Sequence, residues 1–153
     1  MSGEVFDNPT GWVARHIRRY VESGGTRGHT FNGNEALLLT TRGRRTGRLR
    51  RTALYYGRDG ERYVLVATAV RGGGDPSWYL NLLHNPAVVV QVRSEIFAGI
   101  AAPATASERP RLWRLMVNAV PKYLDYETRA GRDLVVVVIE RRPLPAVTRG
   151  TGD

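Results

Sequence analysis

The sequence predicts a mainly β fold with flanking helices: a small antiparallel barrel of about six strands. Three observations carry this reading. Six short runs rich in β-branched and aromatic residues lie along the chain, tight-turn signals join several of them, and the helical patterns are too few for alternating β/α units. At 153 residues one hydrophobic core is expected, closed without metal or disulfide support.

The first element is helical. Gly11 to Glu22 set Trp12, Val13, His16, Ile17, Tyr20 and Val21 on one stripe, with Arg15, Arg18 and Arg19 displaced from it. Asn8-Pro9-Thr10 starts this helix and Ser23-Gly24-Gly25 stops it. In the plainer reading the stripe packs on the body of the protein or on a dimer partner; the alternative is docking on a membrane surface. Residues 24–34 are polar and Gly-rich, as in a mobile segment that covers a site.

Strands are predicted over residues 36–41, 52–56, 62–68, 87–92, 95–101 and 134–139. The second and third are joined by residues 58–61, where Asp59-Gly60 is a strong hairpin signal. Asp75-Pro76 reads as an N-cap followed by proline at the first helical position, leading into Ser77–His84 and ending at Asn85-Pro86. Ser107 opens another helix, with Pro110 in its first turn and an apolar face of Leu112, Leu115, Met116 and Ala119 up to Pro121. About ten C-terminal residues read as a loose tail.

Composition limits function. The net charge is +9, which favours an anionic partner such as nucleic acid, lipid headgroups or an acidic small molecule. Lys122 is the only lysine, so arginine abundance is a property of the whole chain and only clustered arginines count as functional evidence. Cysteine is absent, which removes disulfides, thiolate nucleophiles and Cys-based metal sites and suits a reducing cytoplasm. No apolar stretch approaches a membrane span and no secretory layout opens the chain, so a soluble, cytoplasmic protein is expected. His16, His29 and His84 lack metal-ligand spacing, and no metal is assigned.

Three segments can carry chemistry. Between Thr40 and Thr52 six arginines and two glycines fall within thirteen residues, a density that suits an anion held by guanidinium forks and backbone N–H groups. A plain arginine-rich hairpin tip is the structural alternative, and nucleic acid is a second possible anion. Residues 67–82 hold three consecutive glycines, which let backbone approach a flat ligand, followed by Trp78 and Tyr79. Residues 121–126 place Tyr123 and Tyr126 three apart, so on a helix both hydroxyls share one face; packing alone also explains such a pair.

Together, Leu37-Leu38-Leu39-Thr40-Thr41, Gly43-Arg44-Arg45-Thr46-Gly47-Arg48-Leu49-Arg50, Asp75-Pro76-Ser77-Trp78-Tyr79-Leu80-Asn81-Leu82, Asn85-Pro86 and Tyr123-Leu124-Asp125-Tyr126 resemble the deazaflavin-dependent nitroreductase family. The resemblance runs in order from about Phe31 to Glu140. It implies a split β-barrel of the FMN-binding type over residues 35–142, with an amphipathic helix and mobile loop at 1–34 and a tail at 143–153. It also implies coenzyme F-420 as cofactor, with FMN as the alternative. By resemblance Arg45, Thr46, Gly47, Arg48 and Arg50 hold the cofactor's phosphate and oligoglutamate tail. Ala67, Thr68, Ala69, Gly72, Gly73, Pro76, Trp78 and Tyr79 line its ring, and Tyr123 and Tyr126 orient the substrate or donate a proton.

Relatives usually carry His or Asn where Asp75 stands, and proline where Ala53 stands, so Asp75 is expected to bring a carboxyl group near the ring. The implied activity is hydride transfer from reduced F-420 to a quinone, nitroaromatic or activated alkene. The implied partner is a small-molecule electron acceptor, with a homodimer as the usual split-barrel assembly. Peripheral contact with the inner face of the cell membrane through residues 11–22 extends this reading. The rivals are an FMN-binding split barrel and, from a different class, a basic nucleic-acid-binding barrel.

Overall fold

The computed structural model describes residues 3–143, so the predicted tail from residue 144 onward lies outside the described residues. The chain runs β1 (Val5–Asp7), α1 (Gly11–Glu22), β2 (Thr30–Phe31), β3 (Asn34–Arg42), β4 (Leu49–Tyr55), β5 (Gly57–Asp59), β6 (Arg62–Ala67), α2 (Ser77–His84), β7 (Ala87–Val92), β8 (Glu95–Pro103), α3 (Arg109–Ala119), α4 (Tyr123–Ala130) and β9 (Val135–Arg142). All strands belong to one sheet of order β1-β4-β3-β7-β8-β9-β6-β5, with β2 paired to β3. Every pairing is antiparallel except β1 on β4.

The sheet is large, with nine strands rather than the six predicted, and it is not closed into a barrel. Expected neighbours β4 and β6 exchange no ladder hydrogen bonds among the described residues; β6 pairs with β9 and with the short β5 instead. The Asp59-Gly60 turn does form a hairpin, but its first arm is β5. The chain changes strand at Gly57, where a Cβ would lie 2.6 Å from the Leu115 side chain of α3, so glycine lets the backbone pass close against that helix. The sheet nevertheless wraps round a shared interior, where Leu37 and Leu39 of β3, Leu65 of β6, Val90 of β7 and Ile139 of β9 form one buried cluster.

The outer face of β6 and β9 is covered by α3 and α4, with Val64, Val66, Leu112, Met116, Tyr123 and Val136 buried together. Leu112 and Met116 of the predicted apolar face are buried, whereas Ala119 is exposed. Glu108 precedes α3 and exchanges hydrogen bonds with Thr105, a reciprocal cap two residues away from the predicted Ser107 start.

The amphipathic helix α1 has the predicted bounds. Its stripe of Val13, Ile17 and Tyr20 packs with Leu38 of β3 and Ala53 of β4. Burying side chains of this size contributes roughly 1.5–3 kcal/mol each. The membrane-docking alternative required this stripe to be free, and the body of the protein covers it. Trp12 and Val21 at the stripe's margins stay exposed. Among the described residues no helix is long and apolar enough to cross a membrane.

The end of α1 is fixed by two contacts with the β7–β8 turn. The Tyr20 hydroxyl accepts a hydrogen bond from the Arg93 backbone N–H at 2.7 Å and donates toward the Ala36 carbonyl at 3.1 Å. Gly25, at φ +83°, lies so close to Arg93 that an added Cβ would be 1.8 Å from its carbonyl oxygen. Within the same covering segment His29 is buried, its Nε2 lying 2.7 Å from the Tyr56 hydroxyl and 3.4 Å from the Glu35 carboxylate. Burial lowers the His29 pKa below the ordinary value, Arg93 adds to this and Glu35 opposes it. Burial also pushes Tyr56 up to about 12.

Three stability tests follow. Tyr20→Phe strips the Arg93 N–H of its acceptor without opening a cavity and is expected to destabilise by about 1–3 kcal/mol. Gly25→Ala meets both a backbone clash and left-handed strain and is expected to destabilise more than Tyr20→Phe in denaturant titrations. For His29, the unfolded chain takes up a proton that the folded state resists. Stability is therefore complete above the unfolded value of about 6.5 and falls as the pH drops through it. Thermal melts between about pH 8 and 5 should show this decline, with a smaller slope in His29→Gln.

Candidate functional site

The arginine-rich segment is the turn of the β3–β4 hairpin. Thr41 pairs with Arg50 and Arg42 with Leu49, leaving residues 43–48 to form the turn. Gly43 N–H donates to the Arg48 carbonyl and Gly47 N–H to the Gly43 carbonyl, which closes the loop tightly; Gly47 sits at φ +73°. Arg42 donates to the Gly47 carbonyl at 2.6 Å.

The N-terminal strand β1 lies beside this turn. Phe6 carries the guanidinium of Arg48 at 5.0 Å from its ring centroid and that of Arg50 at 5.7 Å. Asp7 binds Arg51 through both carboxylate oxygens, at 2.6 and 3.1 Å. A three-residue strand of mixed polarity gives no periodic signal, and its parallel partner lies more than forty residues away, so sequence reasoning missed it.

A cleft of about 510 Å³ opens between the turn and the start of α2, lined among others by Thr41, Arg44, Arg45, Thr46, Arg50 and Trp78. Pro76 also lines it. Of the predicted tail-binding residues, Arg45, Thr46 and Arg50 line this cleft, whereas Gly47 and Arg48 do not. Arg44, Arg51 and Asn81 line it too and were not among the predicted site residues. Asn81 occupies the middle of α2, and its carboxamide reaches the turn: Arg44 donates to Oδ1 from its backbone N–H at 3.1 Å and from its guanidinium at 2.9 Å.

A second cavity, of about 830 Å³, lies in the gap between β4 and β6. Its walls include Leu54 and Tyr55 of β4, Val66 of β6, Thr68, Ala69, Gly72 and Gly73 of the following loop, and Tyr123 and Tyr126 of α4. Val70 lines both cavities, so the two meet at the glycine segment. Gly72 and Gly73 adopt φ of +95° and +90°, and a Cβ at either would meet open space. The predicted residues Thr68, Ala69, Gly72, Gly73, Tyr123 and Tyr126 thus share the larger cavity. Ala67 and Tyr79 line neither; both point into the core, where the strand's alternation and the helix's inner face place them.

The far wall of this cavity comes from the N-terminal segment. Phe31 stacks on His16 with centroids 4.4 Å apart and on Trp12 at 5.8 Å. His16 Nε2 lies 2.7 Å from the Gly28 carbonyl. That oxygen can only accept, so the proton resides on Nε2. Lys122 and Arg129 are the charged residues in the lining, and neither forms an ion pair among the described residues. Burial raises the Tyr123 pKa strongly, so its hydroxyl stays protonated.

Asp75 differs from its sequence reading. Pro76, not Asp75, is the N-cap of α2, and no side chain caps the helix. The Asp75 carboxylate is taken by Arg132 at 3.0 Å, and Arg132 also donates to the Gly73 carbonyl at 2.9 and 3.2 Å. Asp75 lines neither cavity, so its charge is neutralised by a clamp on the glycine loop rather than presented to a ring.

A mostly β sheet here carries a cationic cleft that meets an aromatic cavity, an arrangement that suits an anionic ligand with a flat ring. The family model for F420H(2)-dependent quinone reductase matches residues 12–141, and the chain belongs to that family. The nitroreductase label that its motifs resemble is a broader, neighbouring one. An F420H(2)-dependent quinone reductase from Mycobacterium tuberculosis is 35% identical over 147 residues, covering 86% of this chain and 97% of the relative. A solved F420-H2 dependent reductase is 27% identical with a TM-score of 0.61, covering 91% of this chain and all of that one. A solved domain-swapped dimer is 34% identical with a TM-score of 0.65 and covers 87% of this chain and all of that one.

Coenzyme F-420 fits the residues present. The cleft's donor set is guanidinium, hydroxyl and amide, which suits phosphate and carboxylate groups. The adjoining cavity offers a side-chain-free patch at Gly72 and Gly73 opposite aromatic walls, which suits a flat ring.

Proposed function

We propose that this protein reduces quinones with reduced coenzyme F-420, the cleft holding the cofactor's phosphate and glutamate tail and the larger cavity its ring and the acceptor. The observation that carries this reading is the charge left uncancelled in the turn. Of its six arginines, only Arg51 has a carboxylate within ion-pair distance among the described residues. Cations gathered so closely repel one another unless an anion offsets them.

In this reading Arg45 and Arg50 grip the tail, Thr46 adds a hydroxyl, and Gly47 and Arg48 shape the turn. Pro76 and Trp78 hold the segment where cleft and cavity meet. Thr68, Ala69, Gly72 and Gly73 present backbone and small side chains to the ring, and Ala67 and Tyr79 support that wall from the core. When bound, reduced F-420 supplies a hydride to an electron-poor acceptor.

The chain's own part is to align the acceptor, exclude water and deliver a proton. A quinone that gains hydride carries a phenolate oxygen, which takes one proton. Tyr126 Oη is the assigned donor, refilled from solvent, while the buried Tyr123 hydroxyl orients the acceptor. Nitroaromatics and activated alkenes share the electron-poor, planar character that this cavity suits. We read the curled sheet, open between β4 and β6, as a split barrel, and the likeness to a domain-swapped dimer supports a homodimer.

Titration with F-420 and with FMN tests the reading directly: tighter FMN binding, or no F-420 binding, would overturn it. A steep salt dependence of oligonucleotide affinity, with no flavin-type ligand bound, would favour the nucleic-acid rival. Arg45→Ala and Arg50→Ala should each weaken F-420 binding by about 1–3 kcal/mol, measured by fluorescence titration. Tyr126→Phe should leave F-420 affinity unchanged and slow turnover of a soluble quinone; equal loss in both would assign Tyr126 a structural role.

A further inference from the structure

We infer that Asn81 is a positioning residue, which fixes Arg44 at the cleft through a neutral acceptor and so keeps the full guanidinium charge available to the anionic tail of the cofactor. This rests on the cofactor reading above and adds two residues to it.

The geometry is specific. Asn81 is only 3% exposed although it belongs to the wall of an open cleft. All of its hydrogen-bonding directions that the fold uses point to the β3–β4 hairpin. Oδ1 accepts from the Arg44 backbone N–H at 3.1 Å and from the Arg44 guanidinium at 2.9 Å, while Nδ2 donates to Thr41 Oγ1 at 3.2 Å. Thr41 is fully buried. One carboxamide therefore ties the last turn of β3, the backbone of the turn and a cationic side chain to α2. Trp78 lies three residues earlier on the same helix and lines the same cleft, so the tie joins the turn to the helix that carries Trp78.

The choice of amide matters. An apolar side chain here would leave the Arg44 N–H and the Thr41 hydroxyl without partners in a buried place. A carboxylate would accept both Arg44 hydrogen bonds, and more strongly, but it would cancel the charge that the cleft offers. Asparagine alone of these meets the geometric demand and leaves the charge intact. The guanidinium uses one of its five N–H donors on Asn81, and the others stay available for a ligand.

The test compares F-420 with its deazaflavin riboside, which has the same ring but no phosphate or glutamate. Both are titrated by fluorescence into the wild type, Asn81→Asp and Arg44→Gln, with thermal melts alongside. Asn81→Asp keeps the acceptor geometry and adds a negative charge. Arg44→Gln removes the positive charge from a half-exposed turn position and leaves the Asn81 bond to the backbone N–H. Each is expected to lower F-420 affinity by about tenfold or more at low salt, the size of one lost charge-assisted contact, and to leave riboside affinity unchanged.

The wild type's salt dependence for F-420 should also flatten in both variants. F-420 affinity equal to wild type in either folded variant overturns the inference. So does a parallel loss of F-420 and riboside, which marks a merely structural tie. Should Asn81→Asp fail to fold, Asn81→Ser, a shorter neutral side chain that releases the Arg44 guanidinium, is titrated in its place, and F-420 affinity equal to wild type there overturns the inference. A wild type that binds the riboside but not F-420, or neither, overturns the cofactor reading itself and is thereby told apart from failure of the Asn81 assignment.

Discussion

β4 and β6 face one another without a ladder, and the placing of the site follows from that gap. Had the two strands paired, their hydrogen bonds would have closed a barrel of the ordinary kind and left no room between them. Instead β6 pairs with β9 and β5, and β4 with β3 and β1. The space between them is walled by Leu54, Tyr55 and Val66 and roofed by Tyr123 and Tyr126 of α4. Beside the gap the chain passes close against α3 at Gly57, and the α3–α4 cluster packs on the outer face of β6. A cavity built from strand edges has a rigid frame, which suits a site whose main task is alignment.

Strand β3 supplies the second constraint. Ala36 to Thr41 are buried on both faces: Leu37 and Leu39 enter the interior, while Leu38 packs under α1. A strand with two apolar faces requires a cover on each side. That demand recruits α1, and with it the Trp12–Phe31–His16 stack that forms one wall of the cavity. It also fixes the register of the hairpin, since a slip of one residue would exchange Leu38 with its neighbours and turn every arginine of the following turn to the other side.

Much of this was legible because it is local. The run Leu37-Leu38-Leu39, the bounds of α1, α2 and β7, and the density of arginine after Arg42 are properties of short windows, and the structure keeps all of them. What escaped depends on partners remote in sequence. β1 exists through its pairing with β4, and β5 through a glycine whose neighbour is α3. Asp75 has the chemistry of an N-cap, yet Arg132, fifty-seven residues on, captures it. Tyr79 and Ala67 sit within segments that border the cavities, but a side chain's direction depends on the register of the whole element, and theirs is inward. Asn81 carries no local signal either; its meaning comes from Thr41 and Arg44, forty and thirty-seven residues away.

The arginines sort by partner, and this argues against reading them as mere compositional excess. Those that brace the fold are matched with carboxylates: Arg62 and Arg111 with Asp59, Arg62 with Glu108, Arg109 with Glu127, Arg132 with Asp75. In the turn, by contrast, Arg42 is held by a carbonyl, Arg44 by a carboxamide, and Arg48 and Arg50 by the face of Phe6. Each of these neutral partners fixes a guanidinium without cancelling its charge. Arg15, Arg18, Arg19 and Arg27 also lack carboxylate partners among the described residues, but they lie along an exposed face of α1 and its following loop, where water screens them. In the turn the unmatched cations are drawn together beside a cleft, and most of them are held there by neutral groups. A fold that needed those residues for stability alone would gain by pairing them; leaving them unpaired makes sense when the missing anion arrives with the ligand.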